Sequence, residues 1–255
     1  MSAGTPFTDV DRPLRRPREL DVRWIHGSPS SKHNTDPDIQ VYAYDEHTVI
    51  LRQNMAIDYE APFLFLLFGA TQAVLIDTGA TASAEFFPLR RVVDELVDGW
   101  LARHPRRDYH LLVLHTHAHA DHIAGDRQFA DRPRTTVVDA ELTAAWRHFG
   151  FDKDPDAVAR VDLGGRVLEC LATPGHHEAA VTFYDPWTGF LLTGDTVYPG
   201  RLYVQDWSAR TTYQPHEPPL QMTTGHLQDI RAALNEIGDR PRRLPYPLFV
   251  ICPDD

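Results

Sequence analysis

The stretch Leu114-His-Thr-His-Ala-His-Ala-Asp-His122 is the part of this sequence that decides the fold and points to its chemistry. It contains the pattern His-x-His-x-Asp-His, for which the composition predicts roughly 0.004 chance matches in a chain of this length. The pattern directly follows an apolar run, Tyr109 to Leu114, that predicts a β-strand. Open α/β sheets bind their ligands at such strand ends, so the position of the cluster agrees with its composition.

The spacing of the cluster predicts a metal site. Alternate residues at an extended strand end point the same way, so His117 and His119 are expected to direct their imidazoles at one ion. Asp121 and His122 lie where the chain turns into a helix, and we expect them to face a second ion or a water between two ions. Neutral imidazole and carboxylate suit Zn²⁺ and also Fe or Mn. His115 shares the strand parity of His117, and a buried, hydrogen-bonded role is favoured for it over ligation.

A second histidine-containing segment, Thr173-Pro-Gly-His-His-Glu178, follows an apolar strand predicted at Val167 to Leu171. Gly175 allows the sharp backbone turn that presents a side chain from a tight loop. Adjacent side chains do not easily point the same way. We therefore expect one of His176 and His177 to be a ligand while the other faces a neighbour or solvent.

Two further segments have the form of an apolar strand that ends in a carboxylate and a glycine. They are Leu191-Leu-Thr-Gly-Asp-Thr196, with Asp195 at its turn, and Ile76-Asp-Thr-Gly79, with Asp77. Each is suited to placing one carboxylate at a sheet edge. Taken alone, each is equally typical of an ordinary turn.

The pattern along the chain predicts a layered α/β domain in which sheet packs on sheet with helices outside. Residues 1–38 are rich in Pro, Ser, Asp and Arg and are expected to form an N-terminal extension, followed by a single domain over 39–255. Strands are predicted at 41–44, 48–51, 63–68, 73–76, 109–114, 135–138, 166–171, 179–184, 189–193 and 248–251. Helices are predicted at 88–104, 122–129, 140–149 and around Leu227 to Ile237.

The bulk composition restricts the partners and the compartment. A net charge of −11 disfavours nucleic acid, because affinity for it depends on neutralised phosphates. Two cysteines far apart suggest a reducing compartment. No apolar run reaches the ~20 residues of a membrane span, and no secretory signal is visible. We therefore expect a soluble, cytoplasmic protein with a small-molecule substrate; the oligomeric state is not indicated.

The four segments together resemble the metallo-β-lactamase superfamily. That family shows an Asp-Thr-Gly turn, the His-x-His-x-Asp-His signature, a Pro-Gly-His loop and a Gly-Asp turn, and all four occur here in that order across roughly Phe63 to Trp207. The resemblance implies an αββα sandwich with a metal site at one edge, and His177 is left unassigned by it. The implied ligands are His117, His119 and His176 for the first metal, Asp121 and His122 for the second, and Asp195 bridging both.

The sequence departs from the family pattern where one more histidine normally completes the second site. Relatives place a helix and a strand between the equivalents of 203–207 and 211–215, where this chain has only Ser208-Ala-Arg210. Three residues cannot form both elements. A segment is therefore expected to be lost near 207–211, with His216 or His226 as substitute ligands. The first site is predicted to be firm and the second weakened.

The predicted function is metal-dependent hydrolysis of an ester, thioester, lactone or amide by metal-activated water. Asp121 would act as the general base, and Tyr198 or Tyr203 would donate to the oxyanion or only pack. One alternative is a mononuclear iron dioxygenase, similar to the persulfide dioxygenases, that uses His117, His176 and Asp195. Another is a non-catalytic metal-binding module.

Overall fold

The computed structural model describes residues 20, 22–25, 31–198, 200–204, 224–237, 244–245 and 249–253. Most of the predicted N-terminal extension lies outside these residues. The region near 207–211, where the sequence predicts the loss of a segment, also lies outside them, and so does His216. The side chains of Tyr203 and His226 are likewise outside the described part of the chain.

Six strands form the first sheet, in the order in which they occur along the chain. The first four are antiparallel neighbours, and the last two continue the sheet in parallel with the fourth. The apolar strands predicted at 63–68 and 73–76 are confirmed and are buried, as expected for a sheet covered on both faces. The strands are β1 (Ile39–Asp45), β2 (Thr48–Gln53), β3 (Phe63–Phe68), β4 (Gln72–Ile76), β5 (His110–Leu114) and β6 (Thr135–Val137).

A second, four-stranded sheet is entirely antiparallel, and a small third sheet follows it. The second sheet consists of β7 (Ala159–Asp162), β8 (Val167–Ala172), β9 (Val181–Asp185) and β10 (Phe190–Leu192). The third consists of β11 (Gly200–Val204), β12 (Leu244–Pro245) and β13 (Phe249–Pro253). The sequence did not predict β7, because its Ala-Arg-Val-Asp run has only one buried position and gives little hydrophobic signal. Nor did it predict β11 or the two-residue β12.

Helices flank the sheets. They are α1 (Leu89–Arg103), α2 (Ala120–Ile123), α3 (Leu142–Phe149) and α4 (Thr224–Ile237). The helix predicted at 88–104 is confirmed as α1. The helix predicted at 122–129 is wrong in its extent, since α2 ends at Ile123 and a short 3-10 helix follows over Ala124–Gln128. Among the described residues no helix has the length and apolar character needed to cross a bilayer.

Alternating side chains of the first sheet contribute to two separate cores. On one side Val74 and Leu114 pack with Phe183 and Leu168 of the second sheet. On the other side, residues such as Leu75 pack with the apolar face of α1. The strand period of two thus places one layer of helix and one layer of sheet on opposite faces, which is the predicted αββα sandwich.

A buried ion pair of the second sheet is hydrogen-bonded to the first sheet. Arg166, just before β8, lies 2.6 Å from Asp185 at the end of β9, measured from Nη2 to Oδ2. The same guanidinium donates to the carbonyl of His47 at 2.5 Å and to the hydroxyl of Thr48 at 3.0 Å. Because His47 and Thr48 belong to the β1–β2 hairpin, these bonds fix the second sheet against the first.

Part of the segment predicted as an N-terminal extension packs on the domain. Trp24 is buried and makes edge-on contacts with Tyr42 and Phe63, with ring centroids 5.5 and 5.0 Å away. The backbone N–H of Ile25 donates to the side-chain oxygen of Gln40 at 2.8 Å. We propose that residues 22–25 form part of the folded unit.

Candidate metal centre

The candidate site lies where four loops meet at one edge of the sandwich. β4 and β5 are parallel, so their carboxyl ends place Asp77 and the histidine cluster side by side. The second sheet joins the same edge, because the N–H of Val181 in β9 donates to the carbonyl of Thr116 at 2.7 Å. The loops that follow β8 and β10 supply His176 and Asp195.

His117, His119 and His176 form the first group of potential ligands. Their ligand atoms all lie within 4.8 Å of one another, and Nε2 of His176 is 3.0 Å from Nδ1 of His119. Burial lowers the pKa of His117, with a further lowering from the neighbouring His122, so this ring stays in the neutral form that binds metals. Nε2 of His117 and Nδ1 of His176 are buried and have no hydrogen-bond partner among the described residues.

His117, Asp121 and His122 form a second group with the same 4.8 Å limit. Nε2 of His122 lies 3.3 Å from Asp121 Oδ2 and 3.4 Å from Asp195 Oδ1. Asp195 also approaches the first group, with Oδ2 3.8 Å from Nε2 of His176. The structure thus brings all six predicted ligands together and places Asp195 between the two groups; their roles as ligands remain predictions.

The carboxylates in and around the second group stabilise positive charge. Burial by itself lowers the pKa of His122, but the carboxylates of Asp77 and Asp195 outweigh it and raise that pKa well above its usual value. Burial likewise opposes the charge of Asp195, yet the neighbouring histidines lower its pKa. These carboxylates therefore stabilise positive charge beside them, either as a proton on His122 or as a bound cation.

Asp77 and Thr116 form hydrogen bonds that hold the second group in place on the side away from the ligand atoms. Asp77 adopts a left-handed backbone conformation (φ 65°) and is buried. Its carboxylate accepts from the backbone N–H of Thr116 at 2.7 Å, from the Thr116 hydroxyl at 2.8 Å and from Nδ1 of His122 at 2.8 Å. The bond to Nδ1 leaves Nε2 of His122 to face the site. The sequence left Asp77 ambiguous and gave no role to Thr116, although its place between two histidines was a possible signal.

Gly194 allows Asp195 to reach the cluster. It has a φ of +50°, and a Cβ there would lie 2.4 Å from Oγ1 and 2.5 Å from Cβ of Thr116. Only glycine meets both the backbone conformation and the close approach. The Gly-Asp form of the motif is therefore a packing requirement of the site.

The two remaining histidines of the motifs take different positions. His115 is buried, with Nε2 3.2 Å from Oδ2 of Asp126, and belongs to neither ligand group among the described residues. The predicted burial of His115 is confirmed, but neither of its ring nitrogens has a hydrogen-bond partner among the described residues, so the predicted hydrogen-bonded role is not confirmed. The ring of His177 lies 4.8 Å from that of His119, centroid to centroid, so it faces a neighbour. Tyr198 is partly buried close after Asp195.

One loop that the sequence did not single out also influences the electrostatics of the site. Residues 54–62 connect β2 to β3, and the Asn54 side chain anchors the loop by donating to the carbonyl of Pro37 at 2.9 Å and accepting from the N–H of Ala56 at 2.8 Å. Partial burial raises the pKa of Glu60, and the negative charge of Asp121 raises it further. The same two causes, in the same order, raise the pKa of Asp58. The loop therefore carries two carboxyl groups within electrostatic range of Asp121.

Among the described residues, imidazole nitrogens that are buried without a hydrogen-bond partner lie next to convergent carboxylates. This combination fits a divalent cation held mainly by nitrogen. Fold and site together define a metal-binding αββα sandwich. Residues 61–251 match the family model of the Metallo-beta-lactamase superfamily, which covers most of the chain. The chain belongs to the metallo-beta-lactamase superfamily.

Several proteins of known name are similar to parts of the chain. A hydroxyacylglutathione hydrolase of Rhizobium meliloti is 29% identical over 141 residues, which cover 54% of this chain and 51% of the relative. One from Anaeromyxobacter dehalogenans is 37% identical over 86 residues, covering 34% and 32%. The chain therefore spans about half the length, or less, of these curated relatives. Among solved structures, a metallo-beta-lactamase from Pontibacter korlensis has 19% identity and a TM-score of 0.42, covering 84% of this chain and 90% of that one.

Proposed function

We propose that this protein is a zinc-dependent hydrolase that cleaves an acyl bond, with a thioester as the first candidate among thioester, ester, lactone and amide. The observation that carries the proposal is the convergence of His117, His119 and His176 next to the carboxylates of Asp121 and Asp195. The names of the relatives support the thioester, because hydroxyacylglutathione joins an acid to a thiol.

The residues of the site can fill the separate roles, metal ligation and ligand orientation, that such a reaction requires. A divalent cation bound here would lower the pKa of a water and polarise the substrate carbonyl. His117, His119 and His176 would hold the first cation, Asp121 and His122 a second, and Asp195 both. Asp77 orients His122 through the bond to its Nδ1.

Asp121 is the proposed general base. Its side chain is 15% exposed, and its Oδ2 lies 3.3 Å from Nε2 of His122. The carboxylate thus contacts the ligand cluster on one side and solvent on the other. It can accept a proton from the attacking water and return it to the leaving thiolate or alkoxide.

The decisive experiment combines elemental analysis of the purified protein with an assay on simple acyl probes. We expect zinc in the protein and hydrolysis of phenyl thioacetate, phenyl acetate or γ-butyrolactone that chelation abolishes. Asp121→Asn is expected to keep the cation held by His117, His119 and His176, none of which it alters, and to lower kcat by roughly 10²–10⁴-fold, the usual contribution of a positioned base.

Other outcomes would point elsewhere. Bound iron together with oxygen uptake would support the dioxygenase alternative and contradict the hydrolase. Metal binding without turnover of any probe would favour the binding module. Full activity of Asp121→Asn with metal bound would show that Asp121 is not the base.

A further inference from the structure

The 3-10 helix that follows the histidine cluster carries a carboxylate outside both groups of potential ligands. Asp126 lies in this helix, and its side chain is 26% exposed. Its Oδ1 accepts a hydrogen bond from the hydroxyl of Thr78 at 2.7 Å, and its Oδ2 lies 3.2 Å from Nε2 of the buried His115. Neither the resemblance to the family nor the proposed mechanism assigns a role to Asp126 or to the Thr78 hydroxyl.

Backbone hydrogen bonds join the turn that carries Asp77 to the segment that carries His122. The N–H of Thr78 donates to the carbonyl of His122 at 2.8 Å, and the N–H of Ala124 donates to the carbonyl of Gly79 at 3.1 Å. Because one bond runs in each direction, the turn and the segment are held side by side. The 2.8 Å contact between the Asp77 carboxylate and Nδ1 of His122 therefore depends on how the two are aligned.

The hydroxyl of Thr78 adds a side-chain bond to these backbone bonds. Thr78 is fully buried, so its hydroxyl needs a partner within the protein. It lies 2.7 Å from Oδ1 of Asp126 and 3.3 Å from the carbonyl of His122, which already accepts the Thr78 N–H. The shorter distance and the carboxylate charge make Asp126 the stronger acceptor. The bond therefore fixes the 3-10 helix to the turn.

The 3-10 helix also packs directly on the backbone of this turn. A Cβ on Gly125 would lie 2.3 Å from the carbonyl oxygen of Thr78 and 3.1 Å from its Cβ. With so close a contact, the turn cannot move independently of the helix. Loss of the bond between Thr78 and Asp126 would therefore change the position of Asp77, and with it the orientation of the His122 ring.

We infer that Asp126 is a positioning residue whose hydrogen bond with Thr78 fixes Asp77 against His122 and thereby strengthens the binding of a second cation. The first group should be much less sensitive to this bond, because its three histidines lie outside the two joined segments. The inference rests on the metal centre of the proposed function, but it does not depend on hydrolysis.

The test uses two replacements at each end of the bond. Asp126→Ala removes the acceptor, whereas Asp126→Asn keeps an acceptor oxygen and removes the charge. Thr78→Val removes the hydroxyl, whereas Thr78→Ser keeps it. Asp98→Ala and Thr143→Val, at exposed positions of α1 and α3, are the controls. The measurement is competition for zinc with a chromophoric chelator, starting from metal-free protein, which gives separate affinities for the first and the second ion.

We expect Asp126→Ala and Thr78→Val to weaken the binding of the second zinc ion by roughly three- to tenfold, the effect of one hydrogen bond, and to leave the first unchanged. Asp126→Asn and Thr78→Ser should recover most of the loss. The double variant should bind no more weakly than either single one, because both changes remove the same bond. Asp126→Ala, at a partly exposed position, still provides the test if the buried change at Thr78 prevents folding.

Several results would overturn the inference. They are an unchanged affinity for the second ion in Asp126→Ala, equal losses for both ions, equal losses in Asp126→Ala and Asp126→Asn, and a wild type that binds only one zinc ion. The third of these would assign the effect to the charge of Asp126 instead of its hydrogen bond. Two zinc ions bound without turnover of any acyl probe would contradict the proposed function alone, whereas a protein that binds no zinc would contradict both.

Discussion

The carboxylate of Asp77 lies 2.8 Å from Nδ1 of His122, and both side chains are buried. The same carboxylate accepts two hydrogen bonds from Thr116. Asp77 therefore fixes the ring orientation of His122 and balances the positive charge that the second group stabilises. Removal of the negative charge of Asp77 is therefore expected to weaken metal binding, although no ligand is changed.

Asp77→Asn tests this relationship, since it preserves the shape of the side chain and removes its charge. We expect zinc affinity to fall by roughly 10–100-fold, as is usual when a partner behind a ligating histidine is lost. The measurement is competition for zinc with a chromophoric chelator. Asp98→Asn, an exposed change on α1, is the charge-matched control. Equal zinc affinities for the two variants would show that Asp77 does not contribute to metal binding.

Gly194→Ala should displace Asp195. The new Cβ would lie 2.4 Å from Oγ1 of Thr116 at a backbone φ of +50°, so the turn must move. We expect reduced zinc content and a loss of roughly 1–3 kcal/mol in the free energy of unfolding of the metal-free protein. Thermal and urea unfolding in a chelator measure the second effect.

Gly99→Ala is the matched control for that change. Gly99 lies inside α1, and a Cβ there meets nothing within 4 Å. The substitution should stabilise the protein by about 0.5–1 kcal/mol, because alanine is the better helix former. Similar losses for both variants would contradict the steric explanation at Gly194.

Arg166→Met should destabilise the sandwich strongly. It leaves the carboxylate of Asp185 buried without its partner, since both side chains are at most 1% exposed. Loss of one member of a buried pair costs about 3–5 kcal/mol. Arg160→Met, in the exposed pair with Glu169 on the second sheet, should cost less than about 1 kcal/mol. Urea unfolding of both variants provides the comparison, and equal losses would contradict the role of Arg166 as an inter-sheet tie.

His47 should make the stability depend on pH. Burial lowers its pKa below that of an unfolded histidine, so the folded state binds fewer protons there. Its contribution is complete above about pH 6.5 and is lost as the pH falls through the lower, folded pKa. We expect His47→Phe, which retains ring contacts with Trp100 and Trp187, to lose less stability than wild type between pH 8 and 5.5.

The measurement is urea unfolding of the metal-free proteins at both pH values. His33→Phe, a change at an exposed position, controls for the loss of one histidine. If the wild type and His47→Phe lose the same stability, His47 does not contribute to the pH dependence.

Glu60→Gln should change the preference for substrate charge. Glu60 lies within the electrostatic influence of Asp121 and Asp195. Removal of its charge is expected to raise kcat/KM for the anionic probe S-acetylthioglycolate a few-fold relative to neutral phenyl thioacetate, and the difference should shrink at high salt. Glu141→Gln, at an exposed position before α3, is the control. An unchanged ratio of the two rates would place Glu60 away from the bound substrate.

Short-range patterns in the sequence were enough to predict most of the helices and strands and one part of the site. The apolar strand before the cluster predicted β5, and the helical spacing of Val93, Val97 and Trp100 predicted α1. Alternate positions in one motif predicted that the imidazoles of His117 and His119 would lie close together. Such contacts follow from local periodicity, which the chain carries in every short window.

The tertiary structure decided the contacts between distant positions. His176 and His119 are 57 residues apart, and their 3.0 Å approach depends on how the second sheet packs on the first. The bond from Asp77 to His122 likewise depends on loop geometry that no periodicity encodes. Strand pairing and sheet packing set these distances, because a side chain's neighbours across a sandwich are fixed by the register of the whole layer.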